Sequence, residues 1–62
     1  MERTLKSIRF DLGLSQKELA KKLGISELSY RNKEQYRTGL TAKELIQISE
    51  LSDIDPRDIK LA

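Results

Sequence analysis

The sequence predicts an all-α fold in a single domain, residues 1–62. Three observations lead to that prediction. Several segments begin with helix-capping residues, their apolar residues recur at a helical spacing, and no segment alternates apolar and polar residues as a strand would. A chain of 62 residues is long enough for one small core, and it contains no cysteine, so no disulfide stabilises that core.

The first predicted helix carries an apolar stripe at three- and four-residue spacing. The stripe consists of Leu5, Ile8 and Leu12. Gly13 follows at a position where a left-handed backbone conformation is favoured, so we expect the helix to end there. Phe10 lies off the stripe, and the sequence leaves open whether it packs against another helix or is exposed.

The second predicted helix begins at a capping box and ends at a glycine. Ser15 and Glu18 have the S-x-x-E spacing in which each side chain accepts a hydrogen bond from the other residue's backbone. The inward residues that follow are Leu19, Ala20 and Leu23. Gly24 lets the chain turn sharply, and Ser26 can cap a third helix. Residues 15–35 therefore have the layout of a helix-turn-helix unit, which places its second helix in a DNA groove.

The third predicted helix has a polar face that suits base recognition. At about 100° per residue, one contiguous face is formed by Glu27, Leu28, Arg31, Asn32 and Gln35. Carboxylate, guanidinium and amide groups can hydrogen-bond to base edges in the major groove, and a leucine can contact a thymine methyl group. An ordinary solvated helix face can have the same composition, so this face alone does not decide between the two interpretations.

Two further helices are predicted in the rest of the chain. Thr41-Ala42-Lys43-Glu44 is a second capping box, and it begins helix 4. The inner stripe expected for that helix consists of Leu45, Ile48 and Leu51. Asp55 is then a potential cap with Pro56 at the first helical position, which predicts a short fifth helix with Ile59 pointing inward.

The strings LKSIR and GLSQKELAKKLGIS resemble the lambda repressor and Cro-type helix-turn-helix domains, the XRE-like group of bacterial and phage regulators. The resemblance extends from about Leu5 to Ile59. It implies a compact five-helix bundle whose third helix, residues 27–35, lies in the major groove of double-stranded DNA. It also implies a homodimer on DNA that reads a near-palindromic operator.

The resemblance also assigns roles to individual residues. It places Glu27, Leu28 and Asn32 at base-reading positions, and the long guanidinium of Arg31 is expected to join them. Contacts with the DNA backbone are expected from Ser15, Gln16, Lys33, Gln35 and Arg37. Finally, the resemblance implies an ion pair between Arg9 on helix 1 and Glu34 on helix 3, at least partly shielded from water.

Several residues depart from the family pattern, among them three in or directly after the recognition helix. Tyr36 stands where these domains usually have the glycine that ends the recognition helix. The chain must therefore exit by another backbone path or hold a tyrosine at positive φ, which is costly for a bulky residue. Tyr30 and Lys33 occupy inward positions that are commonly aliphatic. Both can bury their apolar stems while their polar ends reach the rim, where Lys33 can approach a phosphate.

Composition narrows the classes of function. With no cysteine and no histidine, the chain lacks the commonest metal ligands and the commonest general base, so an enzyme is not expected. Residues 1–37 hold nine basic and five acidic side chains, whereas residues 38–62 hold three basic and five acidic ones. The positive charge thus lies with the helix-turn-helix unit. We expect a cytoplasmic protein with no membrane partner, no cofactor, no metal and no small-molecule ligand.

Two functional hypotheses remain. The first is a sequence-specific transcriptional regulator of phage or mobile-element type, which binds its operator as a dimer through a surface that includes Leu40, Ile54 and Pro56. The second is a protein-interaction module on the same fold, an antirepressor or antitoxin-like partner, which uses the surface around Leu28 and Tyr36.

Overall fold

The computed structural model describes residues 2–61 and contains four α-helices in that range. Helix α1 spans Leu5–Leu12, α2 spans Gln16–Leu23, α3 spans Glu27–Glu34 and α4 spans Ala42–Ser52. A 3-10 turn at Pro56–Asp58 follows. The prediction of an all-α fold is confirmed over residues 2–61, where the one extended pairing is an isolated parallel bridge between Arg3 and Ile59.

The fifth predicted helix is not an α-helix, because the chain forms a single 3-10 turn there. Asp55 begins this turn, and its carboxylate accepts a hydrogen bond from the backbone N–H of Arg57 at 2.8 Å. Ile59 then takes an extended conformation, with φ −97° and ψ 124°, and is buried. Burial of Ile59 and its pairing with Arg3 require an extended backbone, so the turn ends after three residues.

The four α-helices begin with the same chemistry. Each starts after a serine or threonine whose hydroxyl accepts a hydrogen bond from a backbone N–H in the first turn, namely Thr4, Ser15, Ser26 and Thr41. Both predicted capping boxes form, at Ser15 with Glu18 and at Thr41 with Glu44. These caps satisfy backbone donors that would otherwise lack a partner within the helix.

A single core joins the helices. Its buried residues are Leu5, Ile8, Leu19, Ala20, Leu23, Tyr30, Ile48 and Ile59. The prediction that Leu51 points inward is wrong, since 40% of this residue is exposed. Steps of three residues drift by about 60° around a helix that turns every 3.6 residues, so Leu51 lies to one side of Ile48. Phe10 is also exposed, with the Arg9 guanidinium 4.9 Å from its ring centroid.

The exit from α3 is made by a tyrosine at positive φ. Tyr36 has φ +59°, a conformation that Gly13 and Gly24 supply at the ends of α1 and α2. The N–H of Tyr36 donates to the carbonyl of Lys33 at 3.0 Å, and the N–H of Arg37 donates to the carbonyl of Asn32 at 2.9 Å. This is the bonding of a glycine-type helix end, made here by a bulky residue.

Other contacts offset the strain at Tyr36. Its hydroxyl accepts a hydrogen bond at 3.3 Å from the N–H of Leu5, the first residue of α1. The ammonium of Lys60 lies 5.0 Å from the centre of the tyrosine ring. Of the two paths that the sequence left open, the chain therefore takes the positive-φ one, and the side chain joins the end of α3 to the start of α1.

Candidate nucleic-acid interface

Helices α2 and α3 form the predicted helix-turn-helix unit. They are joined by Gly24, Ile25 and Ser26, and the N–H of Ile25 donates to the carbonyl of Ala20 at 3.1 Å, which fixes the turn. α2 contributes three buried residues to the core, whereas Tyr30 is the one buried residue of α3. Four of the eight residues of α3 are exposed, namely Glu27, Leu28, Ser29 and Arg31.

The residues predicted to read bases lie along the accessible side of α3. Glu27, Leu28 and Arg31 are exposed, and Asn32 is half-buried at the edge of this face. Leu28 is 63% exposed on this face. Glu27 and Arg31 contact each other through an ion pair of 3.2 Å, one helical turn apart. The face thus presents a carboxylate, a guanidinium, an amide and an aliphatic group together.

The start of α2 carries two of the predicted backbone contacts. The Ser15 hydroxyl accepts a hydrogen bond from the N–H of Glu18 at 3.1 Å, and a hydroxyl also has a donor that can face a phosphate. The side-chain Nε2 of Gln16 donates to Oε1 of Glu34 at 3.3 Å. Because an amide nitrogen carries two hydrogens, Gln16 can hold Glu34 and a phosphate at the same time.

The end of α3 carries two more of the predicted contacts with the DNA backbone. Gln35 and Arg37 are both exposed, on either side of the half-buried Tyr36. Lys33 lies elsewhere. Its side chain is 12% exposed, and its ammonium contacts Oε1 of Glu44 at 3.0 Å on the inner side of the helix.

Arg9 and Glu34 form a two-point ion pair between α1 and α3. Nε of Arg9 lies 2.9 Å from one carboxylate oxygen of Glu34, and Nη2 lies 3.2 Å from the other. Nη1 of Arg9 also donates to the carbonyl of Leu14 at 3.1 Å. The two side chains are 12% and 7% exposed, so most of the pair is removed from water. Such a geometry fixes direction as well as distance.

Tyr30 lies beneath this ion pair. Its ring is fully buried, and its hydroxyl makes no hydrogen bond of ordinary geometry although it lies near Arg9 and Glu34. Burial raises the pKa of the Tyr30 phenol, and the Glu34 carboxylate raises it further. Burial also raises the pKa of Glu34, but contacts with Arg9, Tyr30 and Gln16 outweigh it, so the pKa of Glu34 lies below its ordinary value. Glu34 is therefore charged at neutral pH.

Sequence reasoning missed two contacts that position this surface. Glu44 was assigned to the capping box alone, yet it also accepts the ammonium of Lys33. The sequence contains a signal for the contact between Lys33 and Glu44. An inward lysine needs a buried acceptor, and Glu44 is the acid in the first turn of the following helix. The bond from Leu5 to the Tyr36 hydroxyl has no comparable signal, since the two residues lie 31 positions apart.

Two further structural features are absent from residues 2–61. No group of histidine, cysteine, aspartate and glutamate side chains there is arranged to hold a metal ion. Nor does that part of the chain include a helix with the length and apolar character needed to cross a membrane.

Comparison with known proteins agrees with the geometry. The helix-turn-helix family model HTH_3 matches residues 5–59, which is most of the chain. No curated protein and no solved structure shows significant similarity to it. The match covers all four helices and the 3-10 turn. The chain therefore belongs to the XRE-type helix-turn-helix family of DNA-binding transcription regulators, the family of the lambda repressor and Cro-type domains.

Proposed function

We propose that this protein is a sequence-specific transcriptional regulator of the phage or mobile-element repressor and Cro type, which reads the major groove of double-stranded DNA with α3. The observation that carries the proposal is the outward face of α3, where three hydrogen-bonding side chains and Leu28 are accessible together. Leu28, which is 63% exposed, is accessible on the same face as these polar groups.

Each of the four side chains suits a different part of a base pair. Asn32 can donate to N7 and accept from N6 of adenine, Arg31 can donate to O6 and N7 of guanine, and Glu27 can accept from N4 of cytosine. Arg31 and Glu27 must exchange their mutual contact for base contacts. They are about half exposed, and such a surface pair contributes only about 0–1 kcal/mol, so the exchange costs little.

The proposed backbone contacts surround this face. Ser15 and Gln16 lie at the start of α2, and Gln35 and Arg37 lie at the end of α3. Contacts of this kind set the register of the helix on the duplex without reading its sequence. The Arg9–Glu34 pair supports them, because Glu34 also accepts from Gln16 and so links both helices of the unit.

We further propose that two copies bind one operator with two-fold symmetry. A single recognition helix of eight residues offers a small surface, and paired half-sites about one DNA turn apart supply the remaining affinity. The proposed contact uses the exposed Pro56 with Leu40 and Ile54. Leu40 and Ile54 pack partly against the core, so the area that they leave for a partner copy is modest.

The alternative is a protein-interaction module of the antirepressor or antitoxin-like kind. It requires Leu28 and Tyr36 to form a free apolar surface. Tyr36 is half-buried, with its hydroxyl bonded to Leu5 and its ring next to Lys60. These contacts occupy one of the two residues that the alternative needs, which favours DNA as the partner.

Selection from a pool of random double-stranded DNA tests the proposal. A DNA reader is expected to return a consensus sequence, and a two-fold dimer is expected to return a near-palindrome. A protein-interaction module returns no consensus. Stoichiometry on the selected site tests the dimer separately, because saturation by one protein per operator with a single protected half-site contradicts it.

Two matched variants distinguish base reading from backbone contact. Asn32→Ala is expected to cost about 1–3 kcal/mol on the selected site and little on random DNA. Arg37→Ala is expected to weaken binding to both kinds of DNA and to lower the salt dependence by about one unit of slope. Equal losses on both DNAs for Asn32→Ala contradict direct readout.

A further inference from the structure

The buried ion pair between Lys33 and Glu44 joins the recognition helix to α4. Nζ of Lys33 lies 3.0 Å from Oε1 of Glu44, and the two side chains are only 12% and 8% exposed. The same ammonium donates to the carbonyl of Gly39 at 3.1 Å. One lysine therefore contacts the segment that connects α3 with α4 and also the first turn of α4.

The carboxylate oxygen of Glu44 that contacts Lys33 also accepts a second hydrogen bond. This oxygen, Oε1, accepts the backbone N–H of Thr41 at 2.9 Å, in the capping box that begins α4. Burial raises the pKa of Glu44, but the bonds from Thr41 and Lys33 outweigh it and leave the pKa below its ordinary value. The carboxylate is thus charged at neutral pH, and Lys33 is the cation that compensates it.

We propose that Lys33 is a positioning residue for DNA binding, which acts through Glu44 and Gly39 to hold residues 35–40 against the fold and does not contact a phosphate. This inference rests on the proposed function, because the positioned segment includes the proposed backbone contacts Gln35 and Arg37.

The connecting segment is fixed at both of its ends. At the first end, the N–H groups of Tyr36 and Arg37 are bonded to carbonyls of α3. At the second end, Lys33 holds the carbonyl of Gly39. Arg37 and Thr38 are exposed between these two attachments, so their backbone path depends on both. Loss of the second attachment leaves residues 37–39 held by the backbone bond at Arg37 and by the partial packing of Leu40 against the core.

A phosphate contact by Lys33 would be costly. To reach a phosphate, the ammonium must leave Glu44, which would remain as an uncompensated charge in a site that is nearly closed to water. Removing one partner of a buried pair is strongly unfavourable, whereas replacing both partners by uncharged groups is often neutral. That asymmetry supplies the test.

The experiment compares Lys33→Met, Glu44→Gln and the double variant Lys33→Met/Glu44→Gln on the selected DNA site. Glutamine can still accept the N–H of Thr41, so the capping bond is retained while the charge is removed. The double variant has the net charge of the wild type. Glu50→Gln is the matched control, since it removes the same charge from an exposed position on α4.

Glu44→Gln separates the two roles by the sign of its effect. Removal of an acid brings a small increase in DNA affinity when only long-range electrostatics acts, as expected for Glu50→Gln. For Glu44→Gln the positioning role predicts a loss of about tenfold or more, because Lys33 is left as a buried unpaired charge. Lys33→Met and the double variant both lack the bond to Gly39, so both are expected to bind DNA more weakly than the wild type, with an unchanged salt slope.

A direct phosphate contact gives different results. The salt slope of Lys33→Met and of the double variant then falls by about one unit, and Glu44→Gln behaves as Glu50→Gln does. Any of these outcomes in folded protein overturns the inference. If a single variant unfolds, the double variant decides, because it leaves no unpaired buried charge and its salt slope separates the positioning role from a phosphate contact.

Order in the free protein provides a readout that needs no DNA. The ¹H–¹⁵N heteronuclear NOE of Arg37, Thr38 and Gly39 is expected to fall in Lys33→Met and in the double variant, since both lack the bond to Gly39, and to stay unchanged in Glu50→Gln. Unchanged values in Lys33→Met overturn the positioning role. If the wild type selects no DNA sequence, the proposed function fails, and this measurement still reports on the Lys33–Glu44 pair.

Discussion

Helices α2 and α3 have the same length of eight residues but are held in the fold by different forces. α2 buries Leu19, Ala20 and Leu23 in the core. α3 buries Tyr30 alone, and the rest of its attachment comes from two ion pairs that are mostly closed to water, through Glu34 and Lys33. The helix that supports the motif relies on apolar area, and the helix that faces DNA relies on directional polar contacts.

The difference follows from what each surface must do. A recognition helix has to expose polar and apolar groups to bases, so few of its positions remain for the core. Apolar packing is non-directional and needs area, whereas a two-point contact such as Arg9–Glu34 fixes orientation from a single residue. The helix whose orientation matters most for base reading thus has the more directional attachments.

The largest expected effect is on the attachment of α3. Glu34→Leu leaves the Arg9 guanidinium without its partner, and we expect a loss of about 3–5 kcal/mol in the free energy of unfolding. The double variant Arg9→Met/Glu34→Leu is expected to lose much less, since no buried charge remains. Urea denaturation of the complete double-mutant cycle measures both. Single changes that each cost under about 0.5 kcal/mol and simply add would show that the Arg9–Glu34 pair does not hold α3.

A comparable but differently caused loss is expected in α2. Leu19→Ala removes a fully packed side chain and should cost about 2–5 kcal/mol in the free energy of unfolding. Because no charge is involved, this loss should be the same at low and high salt. Leu28→Ala is the control, since it makes the same change at an exposed position of α3 and is expected to cost within about 0.5 kcal/mol. A strong salt dependence for Leu19→Ala would contradict the distinction between the helices.

Acid should weaken the attachment of α3. The pKa of Glu34 is lowered in the folded protein from its ordinary value of 4.5. As the pH falls, the Glu34 carboxylate is therefore protonated at a higher pH in the unfolded chain than in the folded protein. The stability from Glu34 is complete above the ordinary value and is lost as the pH falls through the lowered pKa. Denaturation at several pH values from neutral to about pH 3 should show a shallower pH dependence in Glu34→Gln than in Glu50→Gln. Equal slopes in the two variants would exclude Glu34 as a source of the acid sensitivity.

The smallest effect concerns the exit from α3. Tyr36→Phe keeps the ring beside Lys60 and the positive φ but removes the acceptor for the N–H of Leu5. We expect a loss of about 0.5–1.5 kcal/mol in the free energy of unfolding. Amide hydrogen exchange at Leu5 should become faster than in the wild type. Unchanged exchange would mean that water replaces the hydroxyl at no cost.

Much of the fold could be predicted because its signals are local. The capping boxes at Ser15 and Thr41 and the glycine exit at Gly24 depend on residues that lie within one helical turn of each other. The type and extent of the short fifth helix could not be predicted in the same way. Pro56 is a sound helix start, but the burial of Ile59 and its pairing with Arg3 involve residues from opposite ends of the sequence.

In the candidate site too, features set by local sequence could be predicted, and contacts with distant residues could not. Helical periodicity identified the outward residues of α3, because period and exposure are linked in any helix that packs on one side. The destination of Lys33 was not predictable from periodicity, which gives the side of the helix but not the partner. Lys33 was expected to reach a phosphate, and in the free protein it lies against Glu44.

The bridge between Arg3 and Ile59 has a topological consequence. Arg3 donates to the carbonyl of Asp58, and the N–H of Lys60 donates to the carbonyl of Arg3 at 2.8 Å, so two segments far apart in sequence run side by side. A short linker between these segments closes the chain into a ring. Such a ring can be reopened at the exposed turn at Asp53, after α4, to give a circular permutant. The recognition unit then lies between new chain ends, and its attachments to α1 and α4 are kept.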